Sequence, residues 1–258
     1  MKHFDLSNYG WGLPLKASSY AYKVDGALSI LHWAMFIIFF FWAVYMAYCL
    51  INYRQSKSPK AEYTGHGTWK TYITDVLIFV FEVWLLAAVG IPIWAHIRED
   101  LPKSGEAVEV HVVAQQFNWL FQYPGPDGQF GNRSAQFVHL RNPLGIDPGD
   151  VRGNDDIISI NKLYLPMGKK ALLKLTSMDV IHSFFIPEFR LKQDNVPGMV
   201  FPVWVEPILT GTFEIGCAQL CGSGHYRMRG DAYVLSPEDF DQWTQTASAE
   251  MQQHLTER

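Results

Sequence analysis

The chain has 258 residues, 48% of them hydrophobic and 15% aromatic, with a net charge of −4, which allows one sizeable domain and a further segment. From Glu99 onward there are 20 acidic against 13 basic residues. That balance excludes a nucleic-acid partner, which needs clustered lysine and arginine. It suits a basic protein partner drawn in by electrostatic steering, or serves solubility alone.

In chain order, residues 1–25 read as a polar external tail. Residues 26–53 then run without Asp, Glu, Lys or Arg, long enough to cross a hydrocarbon core at about 1.5 Å per residue. No short apolar stretch with a small-residue cleavage site precedes Gly26, so this span is expected as a retained anchor. Cys49 within it reads as a small residue facing lipid or a helix. A second apolar run, residues 73–97, holds only Asp75, Glu82 and His96 as titratable groups. Between the spans Arg54, Lys57, Lys60 and Lys70 face the single Glu62. By the positive-inside rule this loop is cytoplasmic, and both termini and everything after Glu99 lie outside, in the periplasm of a Gram-negative bacterium.

After a charged exit over residues 98–105, β-branched and aromatic residues dominate. Residues 109–123 (EVHVVAQQFNWLFQY) read as the first strand. Further strands are expected over residues 157–166, 169–177, 198–207, 211–218 and 231–236, separated by turn signals such as Asp147-Pro148-Gly149 and Pro197-Gly198. Short strands without long helical periodicity predict an all-β sandwich or barrel. Residues 237–258 read as a helix with Ser236 as N-cap. The loop over residues 124–156 is long for a compact domain and is expected to be functional or mobile. The fold class is thus an α+β membrane protein. It has a two-helix transmembrane hairpin over residues 26–97, a β domain over residues 98–236 and a helical tail.

The informative stretch runs Cys217-Ala-Gln-Leu-Cys221-Gly-Ser-Gly-His225-Tyr-Arg-Met228. Two thiols, an imidazole and a thioether at short fixed offsets are soft ligands, which select Cu(I) or zinc over hard cations. Structural zinc sites use Cys and His, so Met228 favours copper. Three readings stand at this point. A disulfide suits an oxidising compartment but does not need the following glycines, histidine and methionine. A mononuclear blue-copper site takes two histidines, one cysteine and a weak methionine, leaving one cysteine unemployed. A pair of coppers bridged by both thiolates needs a second histidine, from His111, His139, His182 or His254. His182, in TSMDVIHSFFIPEF after a strand, is the best placed.

Two spans, an aromatic strand, the segment D-V-x-H-S-F and the cluster C-x-x-x-C-G-x-x-H-x-x-M resemble subunit II of the haem-copper cytochrome c oxidases. The resemblance reaches from the first span to about Ser236. It implies a cupredoxin-like Greek-key barrel carrying a binuclear copper centre, Cu-A. Cys217 and Cys221 would bridge the coppers, His182 and His225 would bind one each, and Met228 and the Gln219 backbone carbonyl would be axial. Relatives commonly have glutamate at the position of Gln219, whose carboxylate binds a magnesium ion shared with subunit I, so that ion is in doubt here.

Gln116-Phe117-Asn118-Trp119 resembles the family's Q-W-x-W, through which electrons arrive from cytochrome c. Phe117 or Trp119 would serve, or both simply pack on the core. Asp194, in L-K-Q-D-N-V-P-G, matches an element facing subunit I. A carboxylate in the second span would open a proton path, with Asp75 at its mouth or Glu82 deeper. The implied function is that of the electron-accepting subunit of an aerobic terminal oxidase in the bacterial inner membrane. It would pass electrons from a c-type cytochrome, or a haem-bearing partner complex, to haem in subunit I, where oxygen is reduced and protons are pumped. The 258 residues contain no C-x-x-C-H, so haem is expected elsewhere in the complex. Quinol oxidase relatives lack the copper ligands, which all stand here. A tethered copper carrier would favour exposed methionines and low coordination.

Overall fold

The computed structural model describes residues 12–57, 60, 69–103 and 105–256. Residues 1–11, Glu62 and the side chains of Lys70 and His254 lie outside them. The chain divides into two units, Tyr22–His96 on one side and Met1–Ala21 with Ile97–Arg258 on the other.

In the first unit, α1 (Ala21–Asn52) is about 48 Å long at the helical rise. The second helix, α2 (Trp69–Leu85), passes through a π-helical turn (Leu86–Gly90) into α3 (Ile91–Arg98). Pro92 explains the turn. It has no N–H to offer the carbonyl one helical turn back, and the Ile91 amide bonds Leu86, five residues earlier, as in a π-bulge. Ala21 and Asp25 at the start of α1 are buried, but the long apolar stretch of each helix buries no side chains within the protein. Such a continuous apolar surface needs another apolar medium, and 32 and 27 residues suffice to span a bilayer.

The second unit is a sandwich of two five-stranded sheets. The first holds β1 (Val108–Gln115), β2 (Asn118–Tyr123), β3 (Ile157–Ile160), β5 (Ala171–Ser177) and β8 (Phe201–Val205), in the order β3-β2-β1-β5-β8. The second holds β4 (Lys162–Pro166), β6 (His182–Ile186), β7 (Leu191–Asn195), β9 (Gly211–Cys217) and β10 (Arg229–Leu235), in the order β4-β10-β9-β6-β7. Val110, Val112, Trp119 and Phe121 from one sheet meet Phe184, Ile186, Phe213 and Ile215 from the other in one core. This is the layered packing a cupredoxin-like domain requires.

Three expectations change. The strand expected over residues 157–166 is two strands, because Asn161 adopts a φ of 59°. Asparagine tolerates this left-handed region, and the chain there crosses from the first sheet to the second. The strand expected over residues 109–123 is a hairpin, β1 and β2 pairing antiparallel. The polar tail expected over residues 1–25 is not a free tail where it is described. α1 begins at Ala21, and the residues before it strap the sandwich. Ala17 N–H donates to the Glu188 carbonyl at 2.9 Å, Ser18 Oγ to the Phe189 carbonyl at 2.7 Å, and the Arg190 guanidinium to the carbonyls of Pro14 and Leu15. Tyr20 meets Trp204 edge-on at 5.3 Å. At the other end, α4 (Pro237–Thr256) is capped by Ser236, whose Oγ accepts from Asp239 N–H at 3.1 Å, and Trp243 stacks on Tyr164 at 4.3 Å.

The long loop over residues 124–156 is held against the outer face of the first sheet. Leu144 and Ile146 close a small second core on Val113 and Leu120. The buried Asp156 carboxylate accepts from Gln122 Nε2 at 2.6 Å and Gly131 N–H at 3.0 Å. Gln122 Oε1 lies 3.3 Å from Nδ1 of His111, whose ring stacks on Phe130 at 3.8 Å. Burial raises Asp156 to about 6 and lowers His111 to about 4; Arg133 and Lys174 add to the lowering of His111, and Asp127 and Asp155 add to the raising of Asp156. Asp156 therefore stabilises the folded loop at low pH and loses that contribution as pH rises through about 6, whereas His111 stabilises it at neutral pH and loses its contribution as pH falls through about 4. The two oppose each other, so amide exchange over residues 131–146, corrected for intrinsic rates, should vary little between these values. In Asp156→Asn, which keeps both acceptor bonds, protection should fall steadily on acidification. A flat profile in the variant would refute this account.

Candidate metal centre

β6 begins and β9 ends at the same end of the second sheet, with Phe184 opposite Cys217 in register. This pairing brings His182, the first residue of β6, beside the loop over residues 217–228. Cys217 Sγ and Cys221 Sγ stand 3.8 Å apart, far beyond the roughly 2.05 Å of a disulfide, and both cysteines are free. Nδ1 of His182 lies 3.9 Å from Cys217 Sγ, and Nδ1 of His225 lies 3.6 Å from Cys221 Sγ. Met228 Sδ is 3.8 Å from Cys221 Sγ, and the Gln219 carbonyl accepts from Cys217 Sγ at 3.1 Å. All six sequence-predicted donors converge. The metal-binding atoms of His182, Cys217 and Cys221 lie within 4.8 Å of one another.

Three of the six donors are dry, while Cys217 and His225 are half-buried and Gln219 is exposed. His182 is fully buried, and Cys221 and Met228 nearly so. Burial opposes ionisation of Cys217, but hydrogen bonds from His182, the Ser183 and Gln219 backbone and His225 outweigh it and bring the thiol down to about 6. Burial and the neighbouring Cys217 charge push Cys221 up to about 11. Within the pair Cys217 thus gives up its proton more readily than Cys221, and a soft cation fits that sulfur-rich set.

Sequence reasoning missed Asp179 as a support. Its Oδ1 lies 2.9 Å from His182 Nε2, which leaves Nδ1 for the sulfur side and is the second-layer arrangement that orients metal-binding histidines. Burial raises the Asp179 carboxyl, but bonds from His182 and the amides of Gln116 and Val180 prevail and hold it below its ordinary range. The signal was local: a carboxylate three residues before the histidine.

The other expected residues fall as follows. His111 and His139 are not at the centre; His111 packs on Phe130 and His139 lies exposed in the long loop. Trp119 is fully buried, edge-on to His182 at 6.2 Å and to Phe184 at 5.2 Å, so it offers a partner no surface. Phe117 is half-buried, and its ring lies over Gly222 and Gly224, where an added Cβ would come within 3.2 Å and 2.5 Å of it. Exposed apolar residues beside the centre include Leu220 and Tyr226, 76% and 85% exposed, and Val180 and Ile181 just before His182. Asp194 is exposed on β7 opposite Ser183, next to the His182 register position. Asp75 and Glu82 both lie in α2, seven residues apart and therefore on one helix face.

Residues 108–231 match the family described as cytochrome c oxidase subunit II, periplasmic domain. The chain is 35% identical over 245 residues to the alternative cytochrome c oxidase subunit 2 of Bradyrhizobium diazoefficiens, covering 93% of this chain and 85% of that protein. It is 35% identical over 160 residues to cytochrome c oxidase subunit 2 of Thermostichus vulcanus, covering 62% of this chain and 39% of that one. Among solved structures, the periplasmic domain of subunit II of cytochrome oxidase from Bradyrhizobium japonicum is 29% identical, with a TM-score of 0.43 over 58% of this chain and 98% of that one. With its two apolar helices, its cupredoxin-like sandwich and its sulfur-rich centre, this chain belongs to the cytochrome c oxidase subunit II family, the membrane-anchored, copper-binding subunit of haem-copper oxidases.

Proposed function

We propose that this chain accepts electrons for an aerobic terminal oxidase. It takes them from a c-type cytochrome or a haem-bearing partner complex and hands them to haem in subunit I, where oxygen is reduced to water with proton pumping. The observation that carries the reading is the paired donor set: two sulfurs 3.8 Å apart, each faced by its own imidazole Nδ1. Cys217 and Cys221 would bridge two coppers, His182 and His225 would bind one each, and Met228 and the Gln219 carbonyl would complete the set. A copper pair sharing both thiolates supplies a one-electron carrier whose geometry changes little on reduction. A single blue copper would leave one of these sulfurs without a metal. Magnesium is left out of the reading, because Gln219 offers an amide where relatives carry a carboxylate.

Around the centre, Asp179 fixes the His182 tautomer while Trp119 and Phe184 exclude water behind it. Contact with the donor falls to Phe117 with Leu220 and Tyr226, since Trp119 has no exposed surface. The acidic outer domain would steer a basic donor. Asp194, exposed beside the centre, faces subunit I, and Asp75 stands at the mouth of the proton path with Glu82 deeper.

The topology reading places the copper domain, residues 98–236, on the periplasmic face of a bacterial inner membrane. Besides the basic loop between the spans, a second observation supports it. Residues 14–20 pack within the sandwich and Ile97 re-enters it, so both outer ends of the spans start from the same folded body.

The test is the low-temperature EPR spectrum and copper content of the full chain. The fragment from about residue 104 would lack the strap formed by Ala17, Ser18 and Tyr20. A seven-line hyperfine pattern with two coppers per chain is expected, and Gln219→Glu should leave it intact because only the backbone carbonyl is used. Four lines with one copper would replace this reading with a mononuclear carrier.

A further inference from the structure

The loop that carries Cys221 hangs from the second sheet, yet something on the first sheet must fix where it stops. Its own hydrogen bonds are local: His225 N–H to the Gly222 carbonyl at 3.1 Å, Arg227 N–H to Gly224 at 3.1 Å and Met228 N–H to His225 at 3.1 Å. Ala218 N–H reaches the Ser183 carbonyl at 3.0 Å, still within the second sheet. Among the described residues, one hydrogen bond crosses from the first sheet to residues 218–228. Gln116, in the turn between β1 and β2, donates from Nε2 to the Cys221 carbonyl at 2.6 Å.

The same residue acts on the other ligand-bearing element. The backbone N–H of Gln116 donates to Asp179 Oδ2 at 2.7 Å, and Asp179 Oδ1 lies 2.9 Å from His182 Nε2. The next residue, Phe117, lies so close to Gly222 and Gly224 that a Cβ on either would collide with its ring or with Gln116 Nε2. Both glycines of the Gly-Ser-Gly run are therefore required by the approach of this turn.

We infer that Gln116 is a positioning residue. Its main chain holds His182 through Asp179 and its side chain holds Cys221, so one turn sets the separation between the two arms of the metal centre. Tying down the Cys221 carbonyl restricts the backbone on either side of its Cα and so the positions open to its side chain. That keeps Sγ in the gap between Cys217, His225 and Met228, each within 3.8 Å. A donor set already in place before the metal binds loses little freedom on binding and releases metal slowly. This inference deepens the copper reading above and rests on it only for its metal-dependent arm.

The experiment uses the full chain with Gln116→Met, which keeps the side-chain length and removes the donor, and Gln116→Asn, which keeps the amide but cannot reach. The main-chain N–H survives in both, so Asp179 and His182 stay held and the change is confined to Cys221. Two quantities are read. The first is the rate at which a strong Cu(I) chelator strips copper from the loaded chain, expected to rise about 10-fold in both variants, as for outer-layer partners of other metal sites, with altered hyperfine splitting. The second is hydrogen–deuterium exchange over residues 218–228 of the copper-free chain, expected to lose protection there while β5 and β8 stay protected. Copper release and exchange both indistinguishable from the wild type in a folded variant would overturn the inference. Should the wild-type chain take up no copper, the functional reading fails, while the exchange arm still decides the role of Gln116.

Discussion

Truncating Trp119 to alanine should lower the unfolding free energy by about 3–5 kcal/mol, the range for removing a fully buried large aromatic side chain. The indole sits in the main core with no exposed surface, between the histidine that opens β6 and Phe184 two residues on. Its Nε1 has no hydrogen-bond partner, so the loss is one of packing and cavity formation rather than of a broken polar contact. The main chain at this point also anchors the sheet crossover: Trp119 N–H donates to Asn161 Oδ1 and the Asn161 N–H returns to the Trp119 carbonyl, both at 2.8 Å. Those bonds survive in the variant, so the fold should persist while its core loosens. Urea unfolding of the detergent-solubilised chain, followed by near-ultraviolet circular dichroism, measures the change. Trp119→Phe, which retains a ring against His182, should lose clearly less. Equal losses in the two variants would show that the contact with His182 is not what the indole supplies.

The second large effect is expected at Asp179. Replacing it with alanine should weaken copper binding by about 10–100-fold, the usual consequence of removing the group that orients a metal-binding histidine. The carboxylate accepts from the amides of Gln116 at 2.7 Å and Val180 at 2.6 Å, and lies 2.9 Å from His182 Nε2. Without it the ring is free to turn, and the Gln116 amide loses its acceptor. Asp179→Asn, which keeps one acceptor oxygen but turns an N–H₂ group toward a donor, should fall between alanine and the wild type. Competition titration against a Cu(I) chelator gives the affinities. Wild-type affinity in Asp179→Ala would mean that His182 is held by its packing against Trp119 alone.

Much of this architecture is legible in the sequence, for identifiable reasons. The spans are visible because lipid-facing helices must be apolar on every side, and β1 because Val110 and Val112 alternate toward the core. The metal donors are visible because five of the six are local, within residues 217–228. Strands β6 and β7 are harder to see. The first is buried at four of its five positions and shows no alternation. The second, Leu-Lys-Gln-Asp-Asn, is a polar edge strand with only its two ends buried, and it is held by register with β6 rather than by a hydrophobic pattern. The hairpin at Gln116 was read as continuous strand because residues 109–123 are β-forming throughout, and nothing local in a glutamine announces a bond to a cysteine carbonyl 105 residues away. The strap before α1 was missed for the same reason. Its partners at Glu188, Phe189 and Arg190 are remote, and short polar stretches carry no periodicity to betray them.

That strap sets an order of events during synthesis. Ser18 leaves the ribosome early, but the carbonyl it bonds lies 171 residues later in the chain, beyond both spans and most of the sandwich. Contacts of such long range form late, because the loop they close must be ordered first. Residues 14–20 therefore find their partners only once the chain through Arg190 has been made, so the sandwich is completed after both apolar helices have been synthesised. Completion of the sandwich thereby depends on a segment that precedes both apolar helices in the chain.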